Sequence, residues 1–387
     1  MRCCVAHEYG NWCHDEATID VKGKPFCVYH APSDASEKPN GKEFYRLVQD
    51  RIRDEDNGCV FDGTIFPKSI SLRSFEVNGT LSFERCQFEG NLSFYSSSVR
   101  GDLSFRGATF FKKVSIGEDV NTKSSTRTNG CYQTTQVPGG VQALVSLTID
   151  GDVRFEDAII HGSFTLKKFS NGGKINLSSI AATRRASLSK ISTGELECEN
   201  AYFQNVVRLL DVVIAGKADF NRAKFNAFAT IIRCDFRDLV YFSSTEFNSR
   251  LRIRNSRFKE TALFERTKLT EASFPLCHFG EHAVFSDVDL KAVSFARAPI
   301  ESFYFVGCNW LQFKGRAITI DVLGLKSSRK YEKIPSPLPA VRSLPGKDQR
   351  NASAKKLGEL YRRLKRLARI ENDELLASDW HYLEKRC

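Results

Sequence analysis

Val77-Asn-Gly-Thr-Leu-Ser-Phe83, Phe88-Glu-Gly-Asn-Leu-Ser-Phe94 and Val99-Arg-Gly-Asp-Leu-Ser-Phe105 follow one another, and Phe110 and Ile116 continue the series. Large apolar residues therefore recur at alternating steps of five and six, in an eleven-residue unit written twice and then varied. An amphipathic helix repeats its apolar face at three and four residues, and a half-buried strand at two. A step of five or six fits instead a solenoid in which each short strand sends one side chain to a common axis.

Extended outward, the series begins Phe61, Phe66, Leu72, Val77 and returns as Phe155, Ile160 and Leu166. It is strong again in Phe203, Leu209, Ile214, Phe220, Phe225, Ile231, Phe236, Phe242, Phe247, Ile253, Phe258 and Phe264. From Leu269 through Phe274, Phe279, Phe285, Leu290, Phe295, Ile300, Phe305 and Trp310 it approaches a plain step of five. Twenty-one of the thirty phenylalanines fall in it, so one geometric role dictates Phe usage. Two residues before many centres stands a small side chain, as at Thr64, Cys86, Ala108, Ala158, Ala201, Ala223, Cys234, Thr245, Ser256, Thr267, Cys277 and Ala298. Side chains two apart on a strand share a face, so both point inward and the small one leaves room for the ring. Cys86, Cys234 and Cys277 are accordingly packing residues. The glycines of Asn78-Gly79, Glu89-Gly90 and Arg100-Gly101 are read as corner residues with positive φ, rather than as a phosphate cradle.

Phe83-Glu-Arg-Cys-Gln-Phe88-Glu-Gly-Asn-Leu-Ser-Phe94 and Ala218-Asp-Phe220-Asn-Arg-Ala-Lys-Phe225 resemble the pentapeptide-repeat family, in its Phe-centred bacterial variety. The resemblance implies a mainly β fold, a right-handed quadrilateral β-helix with four units per coil, over residues 59–310. Coils of twenty-two residues would number about ten and, at the usual strand spacing, make a rod on the order of 50 Å long. Asn171, Ala182 and Thr193 stand where large apolar residues belong, so a departure from regular coiling is expected at 167–200.

The first thirty-three residues hold Cys3, Cys4, His7, Cys13, His14, Cys27 and His30. Thiolates and imidazoles in fours suit tetrahedral zinc, and Cys27-Val-Tyr-His30 lets two ligands share one turn. Cys4 and Cys13 are chosen to complete a structural zinc site; Cys3 in place of Cys4, or Cys4 with His7, are the alternatives. A segment this poor in core residues needs a metal to fold. Over 41–57, Phe44, Leu47, Val48 and Ile52 share one helical face, as expected of a helix capping the first coil.

Between the strong stretches, the polar loop 117–146, with Asn129-Gly130 and Pro138-Gly139-Gly140, is longer than loops run without a reason and is read as a contact surface. Beyond Trp310, Pro335, Pro337, Pro339 and Pro345 mark 311–350 as an extended linker. In 351–387, Leu357, Leu360, Tyr361, Leu364 and Leu367 recur at helical spacing, Asn372-Asp373 ends that helix, and Asp373 caps a second that carries Leu376, Trp380 and Leu383. Glu359–Lys365 with Ala377–Lys385 resembles the helical tail of bacterial pentapeptide-repeat proteins, many of which continue into a membrane segment. Here the chain ends at Cys387, leaving a soluble branch or a shortened chain as the two readings.

No apolar run approaches the ~18 residues of a membrane span and Met1-Arg-Cys-Cys is no secretory leader, so a soluble, cytoplasmic chain is expected. The clustering of four of the twelve cysteines before residue 28 fits a metal site and core thiols better than a disulfide framework. The net charge of +11 lies mostly at the C-terminal end, where residues 311–387 hold 18 basic and 9 acidic side chains. There is no Walker loop, dinucleotide fingerprint, Gly-x-Ser-x-Gly elbow or His-Glu-x-x-His. Asp379 and His381 stand two apart and face differently on a helix, which argues against a catalytic pair. His161, His278 and His282 are isolated within the array and read as corner or surface residues.

These readings lead to a non-enzymatic binding scaffold with a protein partner. The alternative is a nucleic-acid-binding protein using Arg250, Arg252 and Arg254 along one strand face, Arg362, Arg363 and Arg366 on the C-terminal helices, and the zinc module. Some pentapeptide-repeat proteins mimic DNA toward topoisomerases, which requires an acidic surface that this mildly basic array lacks.

Overall fold

A computed structural model describes residues 3, 13, 15–39, 41–55, 57–117, 147–321 and 347–386, with side chains of the last stretch from 357 to 385. The fold is mainly β, a solenoid of about ten turns, with three α-helices among the described residues. It divides into two compact units, Met1–Gly194 and Glu195–Cys387.

In the first unit one coil comprises the strands Gly58–Val60, Ile65–Phe66, Ile70–Arg73 and Glu76–Val77, one for each of four sides. Each strand pairs in parallel with the strand one coil later, Cys59 opposite Leu81 and Leu81 opposite Leu103, which is the twenty-two-residue period read from the apolar series. Rings of equal position stack through the core: Phe61 on Phe83 at 5.3 Å, Phe83 on Phe105 at 5.2 Å, Phe66 on Phe88 at 4.5 Å. The next rung is fifty positions on, Val114 opposite Phe164 and Leu103 opposite Val153. The predicted loop is thus an insertion at a corner that leaves the ladders in register, and its residues 118–146 lie outside the described ones.

Coiling remains regular where a departure was expected. Asn171 sits opposite Ile149, Ala182 opposite Ile160, and all three unusual centres are buried. The polar ones are accommodated because Asn171 Nδ2 donates to the Gly151 carbonyl and Thr193 Oγ1 to the Gly173 carbonyl, the same place one coil apart.

The second unit repeats the scheme, with Leu196 opposite Ala218, Ala218 opposite Val240 and Val240 opposite Ala262. The rung then shortens, Ala262 opposite Ala283 and Ala283 opposite Phe303, as the apolar step falls to five. Phe305, expected as a buried centre, is only half-buried. Phe303 occupies the neighbouring inward place usually given to a small residue, and Phe305 packs instead against Trp310 at 5.1 Å.

The corner glycines require a second correction. Gly79, Gly90 and Gly101 do not have positive φ; a Cβ on Gly79 would lie 1.8 Å from the Asn57 carbonyl oxygen, and one on Gly90 2.0 Å from the Ser69 nitrogen. They are glycines because successive coils touch there. The left-handed corners lie two residues after alternate centres and recur every eleven, at Ser74, Arg85, Ser96 and Gly107, and again at Asn200, Asp211, Arg222 and Arg233.

Both the first and the last coil are covered. Helix α1, Gly41–Asp54, lays Phe44, Val48 and Ile52 on the first coil, with Phe44 edge-on to Phe66 at 5.7 Å. Leu47, expected on that face, is 39% exposed at its margin. In the second unit an antiparallel hairpin, Leu311–Phe313 with Arg316–Ile318, occupies the start of the stretch read as linker. Helices α2, Lys347–Ile370, and α3, Glu374–Arg386, follow. Trp380 meets Trp310 at 5.0 Å and stacks on Tyr361. Asp373 caps α3 by accepting the Leu376 N–H, as expected from its position. Such covers keep apolar coil ends and unpaired edges from associating.

Candidate metal centre

Four of the N-terminal ligand-type side chains converge on the first coil. The hairpin Ile19–Val21 with Lys24–Phe26 delivers the chain to Cys27, and a turn closed by Ala31 N donating to the Cys27 carbonyl places Cys27 and His30 side by side. Cys27 Sγ lies 3.1 Å from His30 Nδ1, Cys13 Sγ 3.3 Å from Cys27 Sγ, and Cys3 Sγ 3.5 Å from His30 Nδ1. All four residues are buried. Cys3, Cys27 and His30 form one group able to hold a metal ion, and Cys13, Asp15 and Cys27 a second sharing Cys27. Each group offers sulfur donors beside an imidazole nitrogen or a carboxylate, ligand types that suit zinc.

Of the residues chosen from spacing, Cys27 meets both Cys13 and His30, which fall in different groups. Cys4 lies outside the described residues, as do His7 and His14. Cys3, the stated alternative, joins Cys27 and His30 in the first of the two groups. Adjacent cysteines differ by one residue in spacing, and nothing in the spacing separates them.

Three contacts fasten this cluster to the fold. His30 Nε2 donates to the Asp62 carbonyl at 3.0 Å, which makes Nδ1 the acceptor facing the thiols of Cys27 and Cys3. The Asp62 carboxylate is itself fixed by Ser82 Oγ at 2.6 Å and Glu84 N at 2.9 Å, from the next coil. Asp15 joins Arg51 of α1 at 3.1 Å. Lys38 crosses beneath, its ammonium donating to the carbonyls of Ala31 at 2.5 Å and Ile65 at 2.8 Å; burial nonetheless pulls its pKa down to about 8.

Within the thiol pair, the hydrogen bond from Cys27 holds Cys13 below the usual thiol range. The same bond, with burial, pushes Cys27 up to about 12. A bound cation would displace the thiol protons of the pair.

The cysteines along the coils contrast with these. Cys86 Sγ donates to the Phe61 carbonyl at 3.0 Å and Cys277 Sγ to that of Ile253 at 3.3 Å. Burial pushes Cys234 up to about 12 and Cys277 to about 11, as befits packing residues rather than nucleophiles.

The arginines singled out for an anionic partner are divided. Arg250 pairs with Glu271, Arg362 with Glu384 and Arg363 with Glu301. Arg252, Arg254 and Arg366 are exposed. Asp379 accepts the Ala317 N–H at 2.9 Å and meets Arg316, a structural clasp on the hairpin, while His381 faces solvent beside Lys365 and Glu384. His161, His278 and His282 are exposed. No helix among the described residues is long and apolar enough to cross a membrane.

No protein-family model matches the chain, and no curated protein is similar to it.

Proposed function

We propose that this chain is a non-enzymatic binding scaffold of the pentapeptide-repeat kind, whose N-terminal segment is locked onto the first coil by a structural zinc ion and whose partner is a protein. The observation that carries this reading is the division of labour along each strand. Inward places are filled by stacked rings and small residues bonded to main-chain carbonyls, as Thr245 Oγ1 is to Phe220 at 2.7 Å. Outward places repeat at fixed register, offering side chains on a stiff support. Zinc is favoured over harder cations by the sulfur-rich donor set.

Affinity capture with the intact chain at physiological salt tests the scaffold. A specific protein retained by wild type and released when outward residues of one side are exchanged supports it; background binding alone counts against it.

A second reading rests on Arg252 and Arg254, which share the outward face of Glu246–Arg254 without a carboxylate partner among the described residues. Nucleic-acid binding through them would weaken steeply with salt, and no gel shift at low salt removes this reading.

A further inference from the structure

Between α1 and the first two coils lies an open cleft of about 970 Å3, away from the cysteine cluster. Lys42, Tyr45, Lys68, Ser71, Arg73 and Tyr95 shape it, and no aspartate or glutamate is among its lining residues. Its floor is stiff. The Tyr45 hydroxyl donates to the Ser71 carbonyl and accepts from Gln49 Nε2 at 2.7 Å, and Ser71 Oγ reaches the Tyr95 hydroxyl at 3.4 Å. Lys68 and Arg73 are exposed and have no carboxylate partner among the described residues. The Lys68 stem lies over the start of α1, where a Cβ on Gly41 would stand 2.5 Å from its Cδ. That position adds the positive end of a fourteen-residue helix to the three cations.

Like charges gathered around one concavity repel, and an anion bound among them converts that repulsion to attraction. Arg73 ends the strand Ile70–Arg73, and Lys68 lies at a bend two residues before that strand begins. Their flexible side chains can close on a molecule longer than a single phosphate. Hydroxyls and a phenol ring on the floor suit the polar, ring-bearing remainder of such a molecule. We propose that this cleft is a binding site for a phosphate-bearing organic molecule of nucleotide size, its phosphates held by Lys42, Lys68 and Arg73. The site is separate from the scaffold reading and does not depend on it.

The test is calorimetric titration of the full chain with ADP, repeated with inorganic pyrophosphate and with a twenty-nucleotide single strand. ADP should bind, pyrophosphate should displace it, and Lys68→Gln with Arg73→Gln should weaken ADP at least tenfold. Both positions are exposed, so the double variant should melt as wild type does; Arg100→Gln, an exposed arginine outside the cleft, should leave ADP binding unchanged. No ADP binding at millimolar concentration, or binding indifferent to the double variant, overturns the proposal. Single-strand binding that neither ADP nor pyrophosphate displaces also overturns it, in favour of a polynucleotide.

Discussion

His30 Nε2 donates to the main-chain carbonyl of Asp62 at 3.0 Å, so the imidazole at the thiol cluster is held by the first coil of the solenoid. Metal bound at Nδ1 would thus fasten the N-terminal segment to that coil, and α1 through Asp15 and Arg51 with it. A ligand present at about a hundred times its dissociation constant stabilises the folded state by about 2.7 kcal/mol. A strong chelator should therefore lower the unfolding temperature of the wild-type chain in calorimetry. Cys27→Ser should melt at that lower temperature and ignore the chelator; equal chelator sensitivity in both would place the effect elsewhere.

Thr267 Oγ1 donates to the Phe242 carbonyl at 2.7 Å, whereas Thr64, the corresponding residue of the first coil, has a buried hydroxyl with no hydrogen-bond partner. The accepting carbonyl belongs to the coil before, and Thr64 has none before it. Replacing threonine by valine keeps the shape and removes the hydroxyl. Thr267→Val should cost about 1 kcal/mol, while Thr64→Val should be neutral or stabilising. Denaturant titration of the two variants measures the difference, and equal losses would refute the carbonyl explanation.

Gly79 and Gly107 mark the repeat for different reasons. Gly107 has φ of +63° and only the Arg85 side chain nearby, so Gly107→Ala meets the ordinary cost of a left-handed alanine, about 1 kcal/mol. Gly79→Ala would drive a methyl into the Asn57 carbonyl and must spread two coils. It should lose at least twice as much in the same titration. The reverse order would restore the positive-φ reading of the Asn78-Gly79 corner.

This contrast also shows what was legible in the chain. The period of the apolar series predicts coil length because every centre meets the same axis, down to the shortening after Phe264. Left-handed corners were hidden because non-glycine residues such as Ser74 and Arg85 occupy most of them, while Gly79, Gly90 and Gly101, the glycines singled out, serve coil stacking. Cys27 and His30 were recognisable as a pair because one turn joins them. Cys3 was not separable from Cys4, since the choice depends on how a segment without its own core folds back. Lys42, Lys68 and Arg73 gave no signal at all, because only the docking of α1 on the first coil brings them to one cleft.

Glu384 accepts from Arg362 at 3.0 Å and from Lys365 at 2.5 Å, linking α3 to α2. The hydrogen bond from Lys365, followed by that from Arg362, depresses its pKa to about 2. A carboxylate depressed on folding contributes stability above its unfolded pKa, near 4.3, and loses it as pH falls through the folded value. The stability difference between wild type and Glu384→Gln should be full at neutral pH and shrink between about pH 4.3 and pH 2. A difference that is constant across this window would mean that Glu384 acts by packing alone.

The proposed zinc lock on the N-terminal segment is directly open to measurement. Elemental analysis of the full chain, purified under reducing conditions without chelator, should find one zinc per chain in wild type and a large loss in Cys27→Ser and His30→Ala. A wild-type chain with reduced thiols, a native melting profile and no bound metal would contradict it.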